Sequence, residues 1–282
     1  MGGSSLPGDL VNDYLGGNPR LFLIRDYRIP DHVHPEDLMI ASSFSGNTEE
    51  TLAAWDEALK RNIPTVALTN GGELKKRATA KGLPWIPIPD CIQPRCANGY
   101  FFAAILALLE KLGRIPPQEK GLGGLTRFLE ERQAAQEQTG RDLAAALVDK
   151  VPLVYGPPEL EGTCRVWKIK INENAKVQSF SNIFPELNHN EMVGFTRLIM
   201  KPAIVYLKSR LTHPRILKRM AVMEELLRAK MPFFSVELQG ADHLQEMFDS
   251  LAVADYATYY LAKAYGIDPA PVEMVEEFKK KL

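Results

Sequence analysis

The stretch Ala41-Ser42-Ser43-Phe44-Ser45-Gly46-Asn47-Thr48-Glu49-Glu50-Thr51 constrains the fold of this chain most. A short apolar run ends there. A helical pattern begins just beyond, with Leu52, Trp55 and Leu59 recurring at i, i+3 and i+7. The reading is strand, hydroxyl-rich turn, helix. Gly46 lets the backbone approach a ligand closely. The helix start adds unpaired N–H groups and a partial positive charge. With the hydroxyls of Ser43, Ser45 and Thr48, the turn can hold a phosphate without a lysine. The same residues also read as an ordinary Ser/Thr-rich helix cap.

The surrounding pattern is α/β. Residues 21–24, 38–41, 65–68 and 85–88 are brief apolar runs bounded by turn residues, as expected of buried strands in a parallel sheet. A very apolar helix follows Pro94 and runs to about residue 112. A charged helix over residues 125–149 reads as a connector. Strands are then expected at 152–155, 177–180, 203–207 and 233–237. Helices are expected at 160–174, 214–230, 244–265 and 272–282. This alternation implies two doubly wound lobes. The expected boundaries are a first domain at 1–122, a helical connector at 123–150 and a second domain at 151–282. A length of 282 residues suits that division.

The net charge of −1 gives no reason to expect a nucleic-acid partner. No apolar stretch reaches the roughly 20 residues a membrane helix needs. Met1 is followed by Gly2, Gly3, Ser4 and Ser5, without the basic head or apolar core of a signal peptide. The three cysteines, Cys91, Cys96 and Cys164, have no CxxC spacing and suit neither a disulfide framework nor a zinc site. A cytoplasmic setting is expected.

Three further stretches complete a pattern with the hydroxyl-rich turn. They are Gln93-Pro94-Arg95-Cys96-Ala97, Asn172-Glu173-Asn174-Ala175-Lys176 and Pro185-Glu186-Leu187-Asn188-His189-Asn190-Glu191. In this order, over nearly the whole chain, they resemble the motifs of the bifunctional phosphoglucose/phosphomannose isomerases, which are built from tandem sugar isomerase (SIS) domains. The opening Met1-Gly2-Gly3-Ser4-Ser5 resembles that family's first glycine-rich loop, which lines the sugar-phosphate site. Read alone, it is indistinguishable from a tag scar or a loose terminus.

The resemblance implies reversible isomerisation of hexose 6-phosphates. Glucose 6-phosphate, and with it mannose 6-phosphate, would be converted to fructose 6-phosphate through a cis-enediolate. It gives Glu173 the proton transfer between C1 and C2. It gives His189 ring opening, in the site of a neighbouring subunit of a homodimer, and Arg95 the steadying of the enediolate. Gly3, Ser4, Ser43, Ser45 and Thr48 would bind the phosphate. The family places a lysine of its final helix near the ring oxygen, and Lys279 is the expected residue. Neither a metal nor a cofactor is expected.

The residues agree in part. In a helix, Glu173 shares the apolar face of Val166 and Ile169, which suits a half-buried base, although a solvated helix-end glutamate fits too. Glu186, close to His189, is read as structural. His34 and His213 sit in no matching motif, and His213 reads as a helix start. In the family an N-terminal helix and a central strand precede the Gly-Gly-Ser loop. The first lobe here is therefore expected to lack its N-terminal strand. Ala270 lies between two prolines where the family often has Thr, which bears on the treatment of C2 epimers. Two rival readings are an isomerase of another sugar phosphate, such as an amino sugar, and a sugar-phosphate-sensing SIS module. The second would need none of Arg95, Glu173 and His189.

Overall fold

A computed structural model describes residues 1–282 as two compact units, Met1–Gln118 and Glu119–Leu282. The first opens with a 3-10 turn, Gly2–Ser5, that runs directly into α1 (Leu6–Leu15). Its sheet has three parallel strands in the order β1 (Met39–Ser42), β2 (Thr65–Thr69), β3 (Trp85–Pro87). α2 (Glu49–Lys60) and α3 (Gly72–Ala80) make the crossovers that parallel pairing requires. Trp55 of α2 and Leu74 and Ala78 of α3 are buried against Ala41 and Ala67 of the sheet.

α4 (Asn98–Lys111) buries Phe101, Phe102, Ile105, Leu106 and Leu109. It packs against α1, where Tyr14 and Phe102 meet with ring centroids 5.8 Å apart.

Residues 21–24, expected as a strand, form no ladder. The backbone of Leu21 is taken by a side chain instead. Its N–H donates to Asn12 Oδ1 at 2.7 Å, and its carbonyl accepts from Asn12 Nδ2 at 2.8 Å. β1 pairs on one side only, and Met39 and Ile40 are half-buried, whereas β2 is buried throughout. The sheet therefore ends at β1.

The second unit holds a parallel sheet in the order β5-β4-β6-β7. Its strands are β4 (Val151–Gly156), β5 (Phe180–Ile183), β6 (Pro202–Lys208) and β7 (Phe233–Glu237). β4 and β6 form its centre and are buried almost end to end, as doubly covered parallel strands must be. β5 begins three residues later than expected. The carbonyl of Val177 is taken by Asn172 Nδ2 at 2.8 Å and the hydroxyl of Ser179 by Pro152 O at 2.8 Å, so the ladder starts beyond them.

The helices of this unit are α5 (Glu119–Leu147), α6 (Glu161–Asn174), α7 (Pro214–Leu227), α8 (His243–Ala264) and α9 (Glu273–Lys279). α5 is the helix read from sequence as a separate connector, and the structure corrects that reading. It packs along α8 within the second unit. Arg132 Nε and Gln136 Nε2 both donate to the buried Asp249, at 2.7 and 2.9 Å. A buried carboxylate needs such partners, so the contact is specific. No helix is long and apolar enough to cross a membrane.

Candidate functional site

In the first unit the hydroxyl-rich turn links the end of β1 to α2. The Ser43 hydroxyl lies 2.8 Å from that of Thr48 and accepts the Gly46 N–H at 3.1 Å. Ser43 itself is only 1% exposed. Thr48 stands at the N-cap of α2, yet its side chain makes no cap hydrogen bond. The plain-cap reading therefore fails for this threonine, whose hydroxyl points across the turn to Ser43. Ser45 is exposed, and its hydroxyl accepts the Asn47 N–H at 3.2 Å. Leu52 N–H is bonded to Thr48 O at 3.0 Å, so the amides of residues 49–51 belong to the helix's open first turn. That turn carries the partial positive charge that favours an anion.

Gly46 serves a different neighbour from the one expected of it. Its φ is +68°, and a Cβ there would sit 1.9 Å from the Gly71 carbonyl oxygen. The close backbone approach is to the loop before α3, which braces the turn.

The opening Gly-Gly-Ser segment is bonded to this turn rather than a loose terminus. Ser4 is buried. Its hydroxyl accepts the Phe44 N–H at 2.8 Å, and its carbonyl accepts the Ser42 hydroxyl at 2.7 Å. Gly3 packs on the arginine motif, where a Cβ would lie 2.9 Å from the Arg95 backbone nitrogen. Arg95 lies in the 3-10 turn Pro94–Cys96 ahead of α4, and its carbonyl accepts from Asn98 Nδ2 at 3.1 Å. It is 5% exposed. Gly3, Ser4, the Ser43–Thr48 turn and the Arg95 turn are thus brought together by one unit. The sequence signals for Ser42 and the Phe44 amide were too plain to single out.

In the second unit, Glu173 lies half-buried in the last turn of α6. Its neighbours pin that turn. Asn172 Nδ2 holds the Val177 carbonyl, and Asn174 Nδ2 donates to Thr258 Oγ1 at 2.9 Å. Lys176 has a φ of +57° and donates to the carbonyls of Glu173 and Pro269. The loop carrying Ala270 is thereby tied to the end of the glutamate's helix.

His189 follows a 3-10 turn, Glu186–Asn188, and is exposed. The asparagines on either side of it are both engaged. Asn188 Nδ2 reaches the sulfur of Met192 at 3.0 Å, and Asn190 Nδ2 donates to Glu186 Oε1 at 2.6 Å. Glu186 is thus engaged in holding the turn. Glu191, not singled out from sequence, anchors the same segment through the Tyr155 hydroxyl and Asn182 Nδ2. Burial and that carboxylate push the Tyr155 hydroxyl well above its usual pKa, so it stays a donor. Lys279 lies on α9, which buries no residue, and its Nζ is 2.8 Å from Glu276 Oε1. The apolar residues Val275 and Phe278 of that helix are exposed, Phe278 at 62%. His213 caps α7 through Nδ1, which accepts the Arg215 N–H at 3.1 Å.

In the second unit the strand order reverses between β4 and β6, and in open α/β sheets ligands bind beyond the C-terminal ends of such strands. There, the hydroxyls just beyond β6 are taken by carboxylates. Thr212 Oγ1 donates to Glu159 Oε1 at 2.6 Å, and Ser209 Oγ donates to the fully buried Glu246 at 2.5 Å. Hydroxyls engaged with carboxylates do not welcome a phosphate. No three His, Cys, Asp or Glu side chains gather closely enough to hold a metal ion.

Comparison with known proteins gives a consistent picture. The profile of the bacterial phospho-glucose isomerase C-terminal SIS domain matches residues 136–282. A bifunctional phosphoglucose/phosphomannose isomerase from Caldicellulosiruptor bescii is 35% identical over 302 residues, covering 100% of this chain and 87% of that protein. One of the same name from Thermoplasma acidophilum is 32% identical over 285 residues, again covering 100% and 87%. Among solved structures, a hypothetical protein from Thermus thermophilus superposes with a TM-score of 0.76 at 16% identity, covering 100% of this chain and 81% of its own.

Proposed function

The chain belongs to the bifunctional phosphoglucose/phosphomannose isomerase family, and from that premise we propose that it interconverts glucose 6-phosphate and mannose 6-phosphate with fructose 6-phosphate. The full-length kinship carries the reading. The convergence of Ser4, the Ser43–Thr48 turn and Arg95 supports it from the structure.

Phosphate binding falls to the first unit. The open amides of α2 and the hydroxyls of Ser45 and Thr48 donate to phosphate oxygens, and Ser43, with Gly3 and Ser4 behind it, holds the turn in shape. Hydrogen bonds to an ionised group of this kind contribute about 1.5–3 kcal/mol each. His189, with Lys279, opens the sugar ring. Glu173 then takes the C2 proton as its carboxylate. The electron pair left behind forms the C1–C2 double bond of a cis-enediolate, whose oxygen charge Arg95 compensates. The O2 proton passes to O1, Glu173 returns its proton at C1, and the ketose results. Pinning by Asn172 and Asn174 holds the carboxylate through both transfers. Holding the base within reach of both carbons lowers the barrier through orientation.

His189 acts in the site of a second subunit. In support, the segment that carries it is exposed and apolar, with Val193 70% and Ile199 92% exposed. A homodimer covers such a surface. The reading places the enzyme in the cytosol, where its three free thiols would stay reduced. Ala270, in the loop tied to Glu173 through Lys176, offers no hydroxyl to either C2 epimer. One coupled assay with both aldose phosphates tests the proposal. Fructose 6-phosphate should form from each, and failure with both would refute it.

A further inference from the structure

Three polar contacts run along the line where α6 meets α8, and only the last of them lies within a sequence motif. Trp167 Nε1 donates to Ser250 Oγ at 2.7 Å, Lys170 Nζ donates to Asp255 Oδ1, and Asn174 Nδ2 donates to Thr258 Oγ1. Their spacing puts Trp167, Lys170 and Asn174 on one face of α6. Trp167, Ser250 and Thr258 are buried, and Lys170 is 4% exposed. The Asp255 side chain is half out in solvent, so the lysine reaches from the interior to the rim of the contact. α8 is itself held by a further helix, since Asp249 receives Arg132 and Gln136 of α5. Stability does not account for a buried lysine here. Taking an ammonium out of water is costly, and an apolar side chain of similar length would fill the space without that cost. What the charged pair adds is direction. A hydrogen bond weakens steeply when its donor and acceptor leave their line, whereas apolar contact is non-directional.

We infer that Lys170, paired with Asp255, is a positioning residue for Glu173: it fixes the rotation of α6 against α8, and with it the direction in which the Glu173 carboxylate points. The inference rests on the reading of Glu173 as the base. Glu173 follows Lys170 by one helical turn and sits on the adjoining face with Val166 and Ile169. A rotation of α6 about its axis, or a slide along α8, carries the carboxylate with it. Asn174 holds the helix at its end. Lys170 is the hold nearest to Glu173 on the other side, and its ammonium is the one charged donor of the seam. The tolerance is small, because a misplacement of about 1 Å can cost ~100-fold in rate.

The test compares Lys170→Met, Asp255→Ala, Asp255→Asn and the double variant Lys170→Met/Asp255→Ala with the wild-type protein, by steady-state kinetics with glucose 6-phosphate and by thermal unfolding. Lys170→Met and Asp255→Ala should each lower kcat by ~10-fold or more and leave KM within about twofold. Asp255→Asn keeps an oxygen acceptor and should hold kcat within about threefold. Asp255→Ala strands a buried ammonium and should lower the Tm. The double variant removes the charge with its partner, so its Tm should return towards wild type while kcat stays low. That split separates positioning from stabilisation. Recovery of kcat together with the Tm in the double variant overturns the inference, because the pair then only stabilises the fold. Undiminished kcat in Lys170→Met and Asp255→Ala overturns it as well. If Lys170→Met does not fold, Asp255→Ala and Asp255→Asn, changed at the solvent-facing end of the pair, decide the question by the same kcat comparison. Glu173→Gln is measured alongside. An active Glu173→Gln removes the base and the inference with it, whereas a dead Glu173→Gln beside a fully active Lys170→Met overturns the inference alone.

Discussion

The Ser4 hydroxyl accepts the backbone N–H of Phe44 at 2.8 Å, across 40 positions of the chain. With the bond from Ser42 to the Ser4 carbonyl, it makes the opening turn and the phosphate turn one structure. Ser4→Ala leaves a part-buried amide without its partner, which costs about 1–3 kcal/mol. Affinity for fructose 6-phosphate, measured by calorimetry, should fall together with the Tm. A variant with unchanged affinity would separate the two turns functionally.

Ser43 and Thr48 bond each other and differ in burial, so their substitutions should differ in kind. Thr48→Ala should weaken binding of fructose 6-phosphate and of inorganic phosphate by about 1.5–3 kcal/mol with little change in Tm. Ser43→Ala also removes the acceptor of the Gly46 N–H and should lower the Tm as well. Calorimetry paired with thermal unfolding reads both effects. If the double variant binds phosphate normally, the turn is not the phosphate site.

Glu173 and Glu186 are both acidic and both lie near motif asparagines, but only Glu173 is assigned the proton. Glu173→Gln should lose several powers of ten in kcat with KM little changed, since the group acts in the transition state. Glu186 spends its carboxylate on Asn190, and Glu186→Gln should be mild. Steady-state kinetics with glucose 6-phosphate distinguish them, and the reverse ranking would overturn the assignment.

If His189 completes the neighbour's site, two dead variants can rescue each other. Mixed Glu173→Gln and His189→Ala proteins should regain up to about a quarter of wild-type activity under random pairing. Subunit exchange is followed separately by mass spectrometry. Exchange without recovery would rule out a shared site.

The strands at the centre of each sheet were legible because burial on both faces leaves an unbroken apolar run, as in β2 and β6. The turn after β1 was legible because its hydroxyls cluster in a few residues. What escaped depends on contacts distant in sequence. Residues 21–24 have a strand's composition, but a strand exists only with a ladder partner, and Asn12 takes the Leu21 backbone instead. α5 reads as a solvated connector until Asp249 of α8, itself a polar residue, is seen to receive Arg132 and Gln136. Gly46 pointed to a close approach without saying to what, and the answer, Gly71, lies 25 positions on. Motif resemblance carried Glu173, His189 and Lys279. The chain's own pattern spoke for Glu173, through the apolar face it shares with Val166.

The central claim is isomerisation by proton transfer between C2 and C1 through Glu173. Proton NMR of glucose 6-phosphate incubated with the enzyme in D2O tests it in one experiment. The account predicts fructose 6-phosphate for the wild-type protein, with deuterium at C1 in the fraction of turnovers in which the Glu173 proton exchanges with solvent before its return, and no product above background for Glu173→Gln. Fructose 6-phosphate formed at an undiminished rate by Glu173→Gln, or no fructose 6-phosphate from the wild-type protein, would contradict it.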